Sequence, residues 1–520
     1  MLKISESVLN KVKTSGKRKE WKIKMNYIST RGQISKDNSV SSMYAIKTGL
    51  ACDGGLFVPE QIPSITGEDI KALCKLDYPH RAADILSRFL TDYDPAYLLE
   101  SAEKAYGEDR FPGGAAPLAK LDETRNVLEL WHGPTCAFKD MALQIMPRLL
   151  TGALKGTGEE RTAFILVATS GDTGKAALEG YKDIDQIKIT VFYPEDGVSR
   201  VQKLQMATQT GANVNVCAIG GNFDDAQNGV KKIFSDREFA EKLDKNGFFL
   251  SSANSINWGR LAPQIVYYIS AYCDLISSGE IALGDTINVT VPTGNFGNIL
   301  AAYYAKLMGL PINKLICASN SNNVLTDFIT TGTYDRNRKF YTTMSPSMDI
   351  LISSNLERLL YLMCGAEETA GYMKKLSENG CYTVSEDCLA KIRETFDASF
   401  CDESNTASTI KETFEEKKYL IDTHTSVAVK CANDYISRTG DSRKMIIAST
   451  ASPYKFASDV LKALTGEPQS EPLEALAKLS AYTNTGIPAP LSGLDKREVR
   501  FKKSIKKESM LEEVSGELGL

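Results

Sequence analysis

From position 125 onward the chain alternates two rhythms, and few architectures accept both. Apolar runs at 127–131 (VLELW), 162–169 (TAFILVAT), 187–194 (IKITVFYP), 213–219, 287–293 (INVTVPT), 315–319 and 444–449 (KMIIAS) read as strands. Between them, 175–181, 199–208, 224–234 and 298–308 space their apolar residues as helices do. The strands are continuously apolar rather than alternating, so both faces must be covered. Parallel sheets flanked by helices meet that demand. The expected class is α/β with more than one sheet.

Upstream, residues 25–125 carry short helical patterns at 68–75 and 81–90 and a Gly-rich turn at 52–60 (CDGGLFVPE). They read as an N-terminal, partly helical domain, followed by a linker-like 111–117 (FPGGAAP). Beyond 325, 356–363 and 367–376 look helical, and 401–418 is polar and charged. The charge-rich 496–520 reads as an exposed helix or frayed tail.

At 520 residues the chain has room for roughly two to four domains. A net charge of −4 gives no electrostatic basis for nucleic-acid binding. The 11 cysteines lack a CxxC pair, and there are only three histidines, which points to free thiols in a reducing compartment rather than disulfides or a metal centre. A cytoplasmic location follows as the expectation. No apolar run reaches the eighteen or so residues of a membrane span. Residues 1–24 hold eight Lys/Arg against two Glu, and read as a basic tail or as sequence upstream of a true start at Met25.

One stretch, 129–146 (ELWHGPTCAFKDMALQIM), holds a lysine in an unusual setting. Gly133 and Pro134 turn the chain, and Ala142, Ile145 and Met146 then fall at helical spacing, so Lys139 stands near a helix start with one face buried. Partial burial lowers a lysine's proton affinity and frees a nucleophilic amine for Schiff-base chemistry. On this stretch alone, a solvated cation is the alternative.

Two Gly-rich loops follow strands and open helices: 169–174 (TSGDTG) and 293–298 (TGNFGN). Backbone amides there converge on an anion, although a plain Gly turn has the same signature. A P-loop is excluded, because Thr169 replaces the required glycine and Ala176 the required Ser/Thr. No GxGxxG with a downstream acid occurs, which disfavours a nicotinamide dinucleotide. Two anion loops, one poised lysine and no metal motif suit pyridoxal phosphate. Arg260, ending 251–260 (SSANSINWGR), is either an anion clamp or an exposed helix-start arginine. Thr450 ends a buried strand, where ligands meet open α/β sheets, or serves as a cap.

Taken together these segments resemble threonine synthases of the longer, fungal and proteobacterial type, within the tryptophan-synthase-β-like group of pyridoxal-phosphate enzymes. Eight motifs carry the resemblance in order over about 26–456: YISTRG, GGLFVP, HGPT-AFKD, SGDTG, GNFDDAQ, NSINWGR, TGNFGN and TASPYKF. Cys136 and Met141 depart from residues common in the family. The resemblance implies two parallel-sheet three-layer domains plus the N-terminal domain. The catalytic region would run 126–465, its smaller subdomain about 140–225, with 466–520 as a C-terminal tail.

It further implies that Lys139 bonds the cofactor aldehyde and shuttles protons. Gly294, Asn295, Phe296, Gly297 and Asn298 would hold the cofactor phosphate, and Thr450 would meet the ring nitrogen. Asp172 would lie beside the ring 3-hydroxyl, where relatives usually have Asn, which leaves its protonation state open. Ser170, Thr173, Asn254, Ser255 and Arg260 would take the substrate's phosphate and carboxylate. The implied reaction converts O-phospho-L-homoserine and water to L-threonine and phosphate, in a monomer or homodimer. A phospho-lyase releasing a 2-oxoacid, or a non-catalytic relative, are the alternatives. His424 reads as a packing or turn-stabilising residue.

Overall fold

The computed structural model describes residues 24–32, 39–169, 171–195, 198–468 and 471–520. The expectations for residues 1–23 and for Ser170 lie outside them. Strand β1 (Tyr27–Ser29) pairs antiparallel with β2 (Phe57–Pro59), and four helices between 42 and 106 complete an N-terminal unit. The strands continue as β3 (Leu118–Lys120), β4 (Arg125–Glu129), β5 (Thr162–Ala168), β6 (Ile187–Pro194), β7 (Val214–Gly220) and β8 (Phe248–Ser251). After them come β9 (Ile287–Pro292), β10 (Ile312–Ser319), β11 (Thr333–Asp335), β12 (Cys381–Thr383), β13 (Phe396–Phe400), β14 (Met445–Ser449) and β15 (Ser504–Lys506).

Two main sheets result. The larger has the order β13-β10-β9-β14-β4-β3, parallel except for β3, and the smaller is the all-parallel β15-β7-β6-β5-β8. Every residue of β9 and β14 is buried, as a central strand between two helix layers requires. The α/β class and the three-layer arrangement hold. β3 lies N-terminal to residue 125 yet pairs with β4 in the larger sheet.

The helices around the site and the two sheets include α1 (Asp140–Leu143), α2 (Asp172–Tyr181), α3 (Phe223–Ser235), α4 (Trp258–Ser277), α5 (Gly297–Met308), α6 (Leu356–Asn379) and α7 (Met510–Leu518). Helix α6 breaks at Gly365, whose φ of 81° lies outside the helical region. That break separates the two helical stretches legible in the sequence. Trp258, fully buried, ties the N-terminal unit to this framework. Its ring centroid lies 5.5 Å from Tyr27, 5.6 Å from Phe89 and 5.3 Å from Tyr304 on α5. Tilted and edge-to-face pairs of this kind add to the burial of their large apolar area.

Two expectations need correction. The 111–117 segment is no loose linker: Phe111, Ala115 and Ala116 are buried in the main core, with Phe111 5.9 Å from the Tyr106 ring. Nor is 496–520 an exposed tail. Its β15 pairs with β7 as the edge strand of the smaller sheet, and α7 buries Met510 and Val514 in a core shared with α3. Their burial needs only a few apolar residues, which the flanking charges mask in the sequence. No helix among the described residues is long and apolar enough to cross a membrane.

Candidate active site

Four loops leave the carboxyl ends of β4, β5, β9 and β14, which is where open parallel sheets receive ligands. The β4 loop brings Lys139 to the residue before α1. It is stitched to the β14 exit: the Phe138 N–H donates to the Thr450 carbonyl at 2.8 Å, the Ser452 N–H donates to the Cys136 carbonyl at 3.0 Å, and Ala137 bridges Ala451. Inside the loop, the buried Asp140 carboxylate accepts from the Thr135 N–H and Oγ1, both at 2.8 Å. Burial pushes the Asp140 carboxyl up to about 6 despite these bonds.

Lys139 is only 13% exposed, and its Nζ lies 3.9 Å from Asp172 Oδ2. Burial lowers its pKa to about 8; Asp172 opposes the shift, and Lys455 and Arg260 add to it. About a tenth of the amine is therefore neutral at pH 7.

Asp172 opens α2 after Gly171, whose φ is 134°. Its two carboxylate oxygens divide their partners. Oδ1 accepts from Lys455 Nζ at 2.7 Å and Gln202 Nε2 at 3.0 Å, while Oδ2 accepts from Ser347 Oγ at 3.2 Å and faces Lys139. Burial disfavours the anion, but the two lysines outweigh it and hold the carboxyl well below the ordinary carboxylate range. The protonation state left open by the sequence resolves to the anion.

After β9, the TGNFGN loop reaches α5 through Phe296, which takes the left-handed conformation at φ 62°. A Cβ on Gly294 would stand 3.0 Å from the Ser347 carbonyl oxygen, so the close approach favours glycine. The loop's carbonyls are tied back: Ser353 Oγ donates to the Gly294 oxygen at 2.7 Å, and the N–H and Nδ2 of Asn355 donate to the Asn295 oxygen at 3.1 Å each. Asn298 Oδ1 accepts from the hydroxyls of Tyr267 and Tyr268, whereas its buried Nδ2 has no protein partner. An unmet buried donor at a helix N-terminus costs about 1–3 kcal/mol unless an anion meets it. A phosphate fits this cradle. Asn295 itself is exposed.

Arg260 is buried rather than an exposed helix-start residue. Its Nη1 donates to the Ala253 carbonyl, and its Nε is without a partner. Burial lowers the Arg260 pKa to about 10. Asn254, Ser255 and Thr173 are half-buried, and Thr450 is buried.

Lys455, Gln202, Ser347 and Asn355 join the site without having been singled out from sequence. Lys455 sits within TASPYKF, but its spacing gives no hint that it reaches back to α2. His424, 2% exposed, accepts the Ser347 N–H at Nε2 (3.1 Å) and pairs through Nδ1 with Asp422 (2.8 Å). Those partners place the neutral ring's proton on Nδ1, so this histidine fixes the turn carrying Ser347.

A largely buried lysine beside Asp172, a loop with an orphaned donor at a helix start and a buried arginine with one unmet nitrogen, at the mouth of a parallel sheet, suit a pyridoxal-phosphate-dependent enzyme. Three family models agree: threonine synthase N terminus matches 26–106, pyridoxal-phosphate dependent enzyme matches 127–449, and the threonine synthase C-terminal model matches 425–514. The chain belongs to the threonine synthase family. Human threonine synthase-like 1 is 42% identical over 476 residues, which is 88% of this chain and 63% of that protein, so the chain spans less than two thirds of that relative. Threonine synthase of Pseudomonas aeruginosa is 39% identical over 454 residues, covering 86% of this chain and 92% of that one. The crystal structure of Brucella melitensis threonine synthase with pyridoxal phosphate bound superposes with a TM-score of 0.83 at 38% identity, covering 95% of this chain and 98% of the other. The yeast threonine synthase structure gives a TM-score of 0.84 at 33% identity, covering 95% and 99%. The cofactor is pyridoxal phosphate.

Proposed function

We propose that this chain converts O-phospho-L-homoserine and water to L-threonine and phosphate. Two buried donors without protein partners carry this reading: Asn298 Nδ2 in the Gly294–Asn298 loop, and Nε of Arg260, whose charge acts on Lys139. One cradle serves the cofactor phosphate, and the second cation serves a substrate that carries its own phosphate.

Bound pyridoxal phosphate supplies an aldehyde and an electron-accepting ring. The chain's residues do the rest. Lys139 takes the proton from the substrate Cα and then one from Cβ, whose electron pair expels phosphate as the carbon–oxygen bond at Cγ breaks; it returns protons to Cγ and Cα, with a proton affinity near neutrality that permits both directions. Arg260, with Asn254 and Ser255, holds the phosphate that leaves, and Thr173 and Ser170 serve it as further hydrogen-bond donors. Asp172 presents an anionic oxygen beside Lys139, and Thr450 would meet the ring nitrogen. Water then adds at Cβ.

The greater likeness to proteins named threonine synthase-like than to threonine synthases favours keeping a second reading, a phospho-lyase that releases a 2-oxoacid from the same site. Incubation with phosphohomoserine separates the two. Equimolar threonine and phosphate are expected, whereas phosphate with 2-oxobutyrate and no threonine would move the chain to the lyase. Lys139→Ala is expected to lose at least about 10³-fold in either product. Dispersed free cysteines accord with a cytoplasmic enzyme, acting as a monomer or homodimer.

A further inference from the structure

Lys139 and Asp172 stop short of a tight ion pair. Their 3.9 Å separation contrasts with the 2.7 Å between Asp172 and Lys455. We propose that Lys455 is a positioning residue: by occupying Asp172 Oδ1, it keeps the Lys139 amine from closing onto the carboxylate and so keeps that amine ready to give up its proton.

The placement of Lys455 is specific. It lies in the short 3-10 turn Pro453–Phe456 directly after β14, and Ser452 caps that turn by accepting the Tyr454 N–H. The side chain is fully buried. Besides Asp172, its ammonium donates to the Thr135 carbonyl at 3.0 Å, four residues before Lys139. One cation thus grips the lysine loop from the larger sheet and the first residue of α2 from the smaller one. A buried ammonium in this position persists only with its anion, so Asp172 is committed to it. Gln202 fixes the same oxygen, and Ser347 holds the other toward the site.

The charged groups facing Lys139 are Asp172 from α2, Lys455 from the β14 turn, Arg260 from the start of α4, and Asp140 from its own loop. Removing Lys455 deletes one repelling cation and releases the strongest competitor for Asp172. Both changes favour the protonated form of the Lys139 nitrogen. The role rests on Lys139 bonding the cofactor and is independent of which product leaves.

The test is a pH titration of the near-ultraviolet and visible absorbance of the holoenzyme, whose bands follow protonation of the nitrogen joining Lys139 to the cofactor. Lys455→Met is expected to raise the midpoint by at least about one pH unit, a tenfold rise in proton affinity. Lys455→Arg should return it to within a few tenths of the parent. A protein that melts lower yet titrates at the parent midpoint would reduce Lys455 to a structural bridge and overturn the proposal. An equal shift in Lys455→Arg would do so as well. Should Lys455→Met fail to accumulate folded, Lys455→Gln keeps a hydrogen-bond donor without the charge and carries the same prediction. If the parent band persists in Lys139→Ala, the failure lies in the lysine assignment and not in the role of Lys455.

Discussion

Arg358 donates through Nη1 to the side-chain carbonyl of Asn355, and that contact joins the TGNFGN and NSINWGR segments. Asn355 holds the Asn295 carbonyl of the loop after β9, while Arg358 Nη2 donates to the Ile256 carbonyl of the NSINWGR segment at 2.6 Å. Its Nε reaches the Phe57 carbonyl of β2 at 3.0 Å, and the side chain is fully buried. Arg358→Met leaves two buried acceptors and one half-buried acceptor short of a donor. The expected outcome is a stability loss of about 2–4 kcal/mol in urea unfolding, with weaker retention of cofactor and a higher KM for the phosphorylated substrate together.

Asn298→Ala removes the unmet donor of the phosphate cradle and leaves the Tyr267 and Tyr268 hydroxyls without their shared acceptor. A hydrogen bond to a charged phosphate contributes about 1.5–3 kcal/mol, so the Kd for pyridoxal phosphate should rise roughly 10- to 100-fold in an absorbance titration of apoprotein.

The pH dependence of stability follows from Lys139. Folded, it holds its proton to about pH 8, against an ordinary value of 10.5. Between these values the unfolded chain binds more protons, so the contribution of this group to stability rises with pH across the window. Below pH 8 the buried ammonium is a burden of about 1–3 kcal/mol. Cofactor-free Lys139→Met is therefore expected to have a higher Tm than the parent at pH 7, with the gap closing as pH approaches 10.5. Thermal melts at three pH values check this.

Gly180 lies on α2 where that helix meets α1. A Cβ there would overlap the Leu143 carbonyl oxygen, a backbone atom that cannot swing away. Gly180→Ala must push the helix of Asp172 off the helix that follows Lys139. A loss of about 1–3 kcal/mol in calorimetry is expected, with activity per folded molecule also reduced.

The strands and the lysine were legible in the sequence because their signals are local. Residues 187–194 read as a strand from eight neighbouring side chains, and β6 has those bounds. Lys139 stood out through its own turn and helix start. Lys455, Ser347 and Asn355 did not, because their roles arise from contacts with residues far away in the chain, and a lysine reads the same in sequence whether it is fully buried or solvated. Asp172 was visible as a departure from the family pattern. Its ionised state was not, since it depends on the distant Lys455. The 496–520 segment was misread because strand pairing by Ile505 and burial by Met510 and Val514 leave too few apolar residues to show periodicity.

Strand β15 has a consequence for how the protein is made. Four strands of the smaller sheet emerge from the ribosome within residues 162–251, but the fifth follows only after the whole larger sheet has been synthesised. Throughout that interval the outer edge of β7 offers unpaired N–H and C=O groups to any neighbouring nascent chain. A chain whose β15 has not yet docked has the Lys139 loop and both Gly-rich loops already synthesised beside an adhesive border. The closing strand thus arrives last of the five, and the edge of β7 that it covers stays open until then.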